Sequence, residues 1–303
     1  MTGGNLYALR MLAALRRSGI RVRVLRLERG RDRAVLRKAA GTVILDTIAA
    51  RRATPMLDGL RERGARICTL ALMERGASAL ARSSHRVIAV SHALGRALGE
   101  DGISRSRIRV IAPGVTRYAA GRRSASDARA LCVANWTKEK GIRTLIAAVE
   151  WLPDVTLDLV GAAPDRSYAR GVHADLRRAS LRRRVRVHGV KRGGALGRLY
   201  AHASFFALPS IRESYGMAVS EALAAGLPVV ACDIPATREV AGNAALLVPR
   251  GRVDPLADAI DRLAHDARLR ERLARRARER AKRFPTWTES ERAFVREVRS
   301  LLG

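Results

Sequence analysis

Two spacings of apolar residues alternate along this 303-residue chain. Near the start, "LYALRMLAALRRSG" places Leu6, Leu9, Leu12 and Leu15 on one predicted helical face and stops at Gly19. "IRVRVLRL" then alternates as a strand does, and "TVILD", "RVIAVS" and "RIRVIAPGV" are short apolar runs of buried-strand type. Residues 117–127, "RYAAGRRSASD", are small, polar and basic, and predict a linker. Beyond it, "ALCVAN", "VTLDLVG", "VRVHG", "SFFALPS", "LPVVACD" and "AALLVP" read as strands. Helical patterns separate most of them, such as "GIRTLIAAVEWL" with Ile142, Leu145, Ile146 and Val149 in register. Strands alternating with helices predict parallel sheets covered on both faces. The expected fold is therefore α/β, with two Rossmann-like domains facing a cleft and ligands at the carboxyl ends of the strands.

The last part of the chain is helical in pattern. "DPLADAIDRLAHD" predicts a helix with Asp254 as N-cap and Pro255 in its first turn. "RLRERLARRARERAKRF" aligns Leu269, Leu273, Ala277, Ala281 and Phe284 on a narrow stripe, its arginines forming a solvated face. A membrane-surface role for this helix is the weaker alternative, because the stripe is small.

Composition narrows the class. Apolar residues make up 48% of the chain, enough for a core in each domain. No run of eighteen apolar residues predicts a spanning helix, and the first residues lack the basic leader and cleavage site of a signal peptide. Cys68, Cys132 and Cys232 are scattered, which argues for reduced thiols rather than disulfides or zinc and fits a cytoplasmic protein. The formal net charge is +30, carried mostly by arginines spread along the whole length. Codon bias explains much of such a spread, and a basic face on the inner surface of an anionic membrane is the second reading. Nucleic-acid binding ranks third, because no basic stretch is interleaved with aromatics.

The candidate chemistry lies in "ESYGMAVSEALAAGLPVVA", residues 213–231. Glu213 falls on a loop at a strand's carboxyl end, and Glu221 about two turns into the helix that follows. Ser214, Tyr215, Gly216 and Met217 lie at that helix's start, where backbone N–H groups hold anions. Taken alone, Glu213 reads as part of a cap and Glu221 as a surface residue. "CVANWTKEKGIRTLI" adds a loop after a strand with Asn135, Lys138 and Lys140, and "VRVHGVKRGGALGRLYAHASFFALPS" adds another. All three loops are expected on one rim of the second sheet.

These pieces, with "AALLVPRGRVDPLADAI", resemble the C-terminal domain of the GT-B glycosyltransferases of family 4, the glycosyl transferases group 1, over residues 130–285. The resemblance implies that Glu213 binds the transferred sugar, Glu221 the ribose, and Lys140 the diphosphate of a nucleotide sugar. Glu213 and Lys140 are thereby the expected catalytic residues. Gly216, Met217 and the adjoining Ser214 and Tyr215 would hold phosphate or sugar, while Gly189 and Val190 would line the base. Asn135, expected on the donor side, stands where many relatives have Arg. The chemistry agrees: a departing diphosphate is stabilised by cationic and helix-terminal groups, and an oxocarbenium-like sugar by a carboxylate. No Asp-x-Asp occurs in the chain, so no metal and no cofactor are expected beyond the donor as co-substrate.

The first half resembles the family less. "TGGNLYALRMLAALRRSGIRVRVL" matches a glycine-rich loop and first helix, placing Gly3 and Gly4 at the diphosphate and acceptor; alone they read as a loose terminus. The strand expected before them is missing, so the first domain reads as truncated. "ARICTLALMERG" lacks the histidine the family often carries there, and His85 and His92 read as structural. The expected domains are residues 1–122, residues 123–285 for nucleotide-sugar binding, and a helix at 286–303 packing back toward the first. The implied function is a retaining, metal-independent glycosyltransferase, cytoplasmic or peripheral on the membrane's inner face. Its acceptor is unidentified, a lipid-linked or cell-envelope glycan fitting the charge. The alternative is a non-catalytic relative that binds a sugar nucleotide or partners an active transferase.

Overall fold

The computed structural model describes residues 3–119, 121 and 128–302. The expected domain boundary at 122 and 123 and most of the expected linker lie outside the described residues. The chain divides into two compact units, one of Met1–Gly114 with Pro285–Gly303, the other Val115–Phe284.

Unit 1 holds a parallel sheet in the order β1 (Thr42–Asp46), β2 (Arg66–Ala71), β3 (Arg86–Ala89), β4 (Ile108–Val110). β2 was not expected as a strand. Its run Ile67–Ala71 is buried throughout, and such a continuous apolar run carries no alternation to mark it. His85 is structural as expected: its Nδ1 accepts from the Ile67 N–H at 3.1 Å. The alternating segment 20–27 is not a strand. Its Leu25 and Leu27 pack on the cluster that includes Leu45 and Val43, so the alternation buries one side. A ladder also needs a partner strand, and among the described residues β1 is the edge of its sheet, paired with β2.

The first helix, α1 (Gly3–Arg17), corrects the predicted stripe. Its buried residues are Tyr7, Met11, Ala14 and Leu15, while Leu9 is half exposed. A spacing of three falls behind a 3.6-residue turn, so Leu6, Leu9, Leu12 and Leu15 rotate away from one face. The Tyr7 hydroxyl donates to the Ile111 carbonyl at 3.0 Å, and its ring lies 6.5 Å from both Trp287 and Phe294. The last two belong to the helix Trp287–Leu302, which packs on α1 within unit 1.

Unit 2 holds six parallel strands: β5 (Arg129–Val133), β6 (Thr156–Val160), β7 (Val185–Gly189), β8 (Phe205–Leu208), β9 (Val229–Cys232) and β10 (Ala245–Val248). Their order across the sheet is β10-β9-β8-β5-β6-β7. All six had been read as strands in the sequence. The helix Val253–His265 starts two residues earlier than predicted, with Arg252 as N-cap. Asp254 is not the cap because its carboxylate pairs with Arg252 at 2.8 Å. In the helix Ala267–Ala281 the predicted stripe is buried, and the helix packs on Met217–Ala224. That stripe is a packing face and has no apolar surface left for a membrane. No helix among the described residues is long and apolar enough to cross one.

Candidate functional site

The second sheet reverses its winding at β5, which has β8 on one side and β6 on the other. Ligands in open parallel sheets bind outside the carboxyl ends of the strands at such a point. The loops after β5 and β8 meet there. The Ile211 N–H donates to the Glu139 carbonyl at 2.9 Å, and Lys140 Nζ lies 2.5 Å from Glu213 Oε1. Both side chains are partly buried, with Glu213 only 12% exposed. The close approach depends on Gly141, in a left-handed conformation at φ 65°, where a Cβ would lie 2.4 Å from the Pro209 carbonyl oxygen.

Gly216 caps the helix Met217–Ala224, also in a left-handed conformation. It has no side chain, so the cap residue itself puts no acceptor on the first-turn N–H groups that a phosphate would use. Tyr215 beside it is buried, and burial pushes its phenol up to about 12. Ser214 lies in the same loop, between Glu213 and Tyr215.

Glu221 lies one turn further along that helix. Its Oε2 accepts from the Tyr200 hydroxyl at 3.2 Å, and the Tyr118 ring stacks on Tyr200 with centroids 5.0 Å apart. Burial raises the Glu221 carboxyl to about 7, the Tyr200 hydrogen bond opposing it. A carboxyl raised on folding binds more protons in the native than in the unfolded state, so its contribution falls as pH rises from about 4.5 to about 7. Glu221→Gln removes that titration. The expected result is a stability advantage of the variant over wild type, visible as a higher Tm, that grows across this window by up to about 1.4 kcal/mol of unfolding free energy per pH unit. Parallel Tm curves would mean that Glu221 does not titrate there. Sequence reasoning missed both tyrosines, because only the fold brings residues 118, 200 and 221 together.

Asn135 is used within the site's wall. Its side-chain oxygen accepts from the Ala162 N–H at 3.3 Å, and the Trp136 N–H donates to the Ala162 carbonyl at 2.7 Å. Gly161 permits this crossing: at φ 151°, a Cβ would fall 1.9 Å from the Ala134 carbonyl oxygen. Gly161→Ala is expected to cost on the order of 3 kcal/mol, seen as a lowered Tm. An unchanged Tm would show that the two loops separate without penalty.

Gly189 ends β7, its carbonyl accepting from the Gly161 N–H at 2.9 Å, and Val190 beyond it is half exposed. The structure thus joins Lys140 to Glu213 directly, places Glu221 on the adjoining helix, and puts Gly189 and Val190 two strands from β5 on the same carboxyl rim. Gly3 and Gly4 form the first residues of α1 in unit 1, helical rather than in a loop.

A D-inositol 3-phosphate glycosyltransferase of Xylanimonas cellulosilytica is 36% identical over 160 residues, covering 52% of this chain and 38% of that relative. A phosphatidyl-myo-inositol mannosyltransferase of Mycolicibacterium smegmatis is 32% identical over 171 residues, covering 54% of this chain and 42% of the relative. The matched part therefore spans well under half the length of these two proteins. Among solved structures, Anabaena HepE in complex with UDP and glucose superposes with a TM-score of 0.78 at 17% identity, covering 99% of this chain and 96% of that one. Sucrose-phosphate synthase from Thermosynechococcus elongatus gives 0.73 at 22% identity, with 86% and 73% covered. Both likenesses identify the GT-B fold of two Rossmann-like domains. The family profile described as glycosyl transferases group 1 matches residues 120–280, more than half of the sequence and nearly all of unit 2, and the chain belongs to that family.

Proposed function

We propose that this chain is a glycosyltransferase that binds a nucleotide-sugar donor in unit 2 and moves its sugar to an acceptor with retention of configuration and without a metal. The observation that carries the reading is the Lys140–Glu213 pair, seated between adjacent loops at the point where the sheet reverses and beside a helix start capped by a glycine. Lys140 and the N–H groups after Gly216 would take the diphosphate, and Glu213 the sugar. Glu221, held by Tyr200, has acceptor oxygens suited to the paired hydroxyls of a ribose. Gly189 and Val190 would border the base. The names of the relatives support this direction, since they are transferases acting on inositol 3-phosphate or phosphatidyl-myo-inositol. HepE, whose fold the chain shares, was solved with UDP and glucose.

In this reading the counter-charge for the departing diphosphate comes from Lys140 and the helix start, so turnover is expected to survive EDTA. Complete loss on chelation, restored by adding a divalent metal, would overturn the metal-free mechanism. The test of the whole reading is calorimetric binding of UDP, GDP and ADP and of their sugars, alongside donor hydrolysis. Binding with slow hydrolysis supports a working donor site. Failure of every nucleotide to bind would refute it.

A further inference from the structure

A second concentration of charge lies in unit 1, around a cavity of about 660 Å³ between the extended segment 23–26 and α2 (Gly30–Arg37). Arg23, Arg26, Arg29 and Arg31 line it, and all four are exposed. None of these guanidiniums meets a carboxylate or carbonyl among the described residues. The single acid in the wall, Asp32, points its Oδ2 at the Arg26 backbone N–H, 2.9 Å away. Arg29 is the N-cap of α2 and makes no side-chain cap hydrogen bond, so the helix's positive end adds to the same field. The rest of the wall is apolar, from Val24, Leu25 and Val35. Val24 is half exposed there, an unusual place for a large apolar side chain beside four like charges.

Four cations against the single carboxylate of Asp32 leave the concavity with a net positive charge that an entering anion relieves. The volume lies in the range of small-molecule sites and is too small for a nucleic-acid duplex. Guanidinium forks match phosphoryl oxygens two at a time, and several of them favour a doubly charged group over a single carboxylate. We propose that this cavity binds an organic phosphate, its phosphoryl group among the four arginines and its carbon part against Val24, Leu25 and Val35. The phosphate can come from a free phosphorylated polyol or from a lipid headgroup at a membrane surface. The proposal does not depend on the donor site.

The test titrates the whole chain with sn-glycerol 3-phosphate by calorimetry. In parallel, it measures co-sedimentation with phosphatidylcholine vesicles with and without phosphatidic acid. Arg23→Ala/Arg29→Ala is expected to weaken binding at least tenfold, about 1.4 kcal/mol. Val35→Trp, which pushes bulk from the apolar wall into the cavity and leaves the charge unchanged, is expected to do the same. Arg182→Ala/Arg183→Ala, two exposed arginines of unit 2, provides an equal loss of charge elsewhere and is expected to have no such effect. Arginine-dependent binding of glycerol 3-phosphate alone identifies a free ligand; arginine-dependent sedimentation with phosphatidic acid alone identifies a headgroup. The proposal is overturned if neither probe binds, or if both arginine pairs matter equally. It is also overturned if Val35→Trp binds as wild type, or if Lys140→Ala in unit 2 abolishes binding while the cavity variants keep it.

Discussion

Glu213→Ala is expected to lower sugar transfer by about two to three orders of magnitude, the usual cost of removing one group that stabilises developing charge. The same variant is expected to keep its affinity for nucleoside diphosphate. Glu213 pairs with Lys140 at 2.5 Å, so removing the carboxylate frees the ammonium rather than disarming it. Loss of turnover with retained UDP, GDP or ADP binding would therefore place Glu213 on the sugar side of the donor. Loss of both together with a fallen Tm would point to a structural role. Full activity in the variant would remove Glu213 from the site.

Lys140→Ala is expected to produce the opposite split. A charge-assisted hydrogen bond contributes about 1.5–3 kcal/mol, so nucleoside diphosphate affinity should fall roughly tenfold to a hundredfold by calorimetry. The variant also leaves Glu213, 12% exposed, without its cation beside the expected phosphates, which deepens the loss. Removing both residues separates these two costs. If part of the defect comes from the stranded carboxylate, Lys140→Ala/Glu213→Ala binds diphosphate better than Lys140→Ala alone. Unchanged affinity in Lys140→Ala would exclude the lysine from the site.

The legibility of this chain differed between its halves for a physical reason. In unit 2 most strands are short apolar runs flanked by turn residues, and the signals at Lys140, Glu213, Gly216 and Glu221 sit in loops or early helix turns whose place follows from that order. In unit 1 the continuous burial of β2 hid it, while the alternation of residues 20–27 promised a ladder that has no neighbouring strand to complete it. The three-residue spacing of leucines in α1 misled for a related reason: spacing reports a face only when it keeps pace with the helix. Tyr118 and Tyr200 were invisible in the sequence because their meaning is a stack across 82 positions and a hydrogen bond to Glu221 across 21, which no local pattern encodes. Asn135 was noted for the arginine it replaces; its hydrogen bond to Ala162 shows that it also holds a wall of the site in place.

The three cysteines have a practical bearing on all of these experiments. Cys68, Cys132 and Cys232 are buried and free, and burial pushes the thiols of Cys68 and Cys132 up to about 12 and raises that of Cys232. Thiolates are the reactive form, so the folded chain offers alkylating reagents almost nothing to attack near neutral pH. A single cysteine introduced on an exposed helix can thus carry a fluorophore without first stripping the native ones. Conversely, the onset of native thiol labelling under denaturant becomes a built-in clock for the opening of each sheet, Cys68 reporting the first and Cys132 and Cys232 the second.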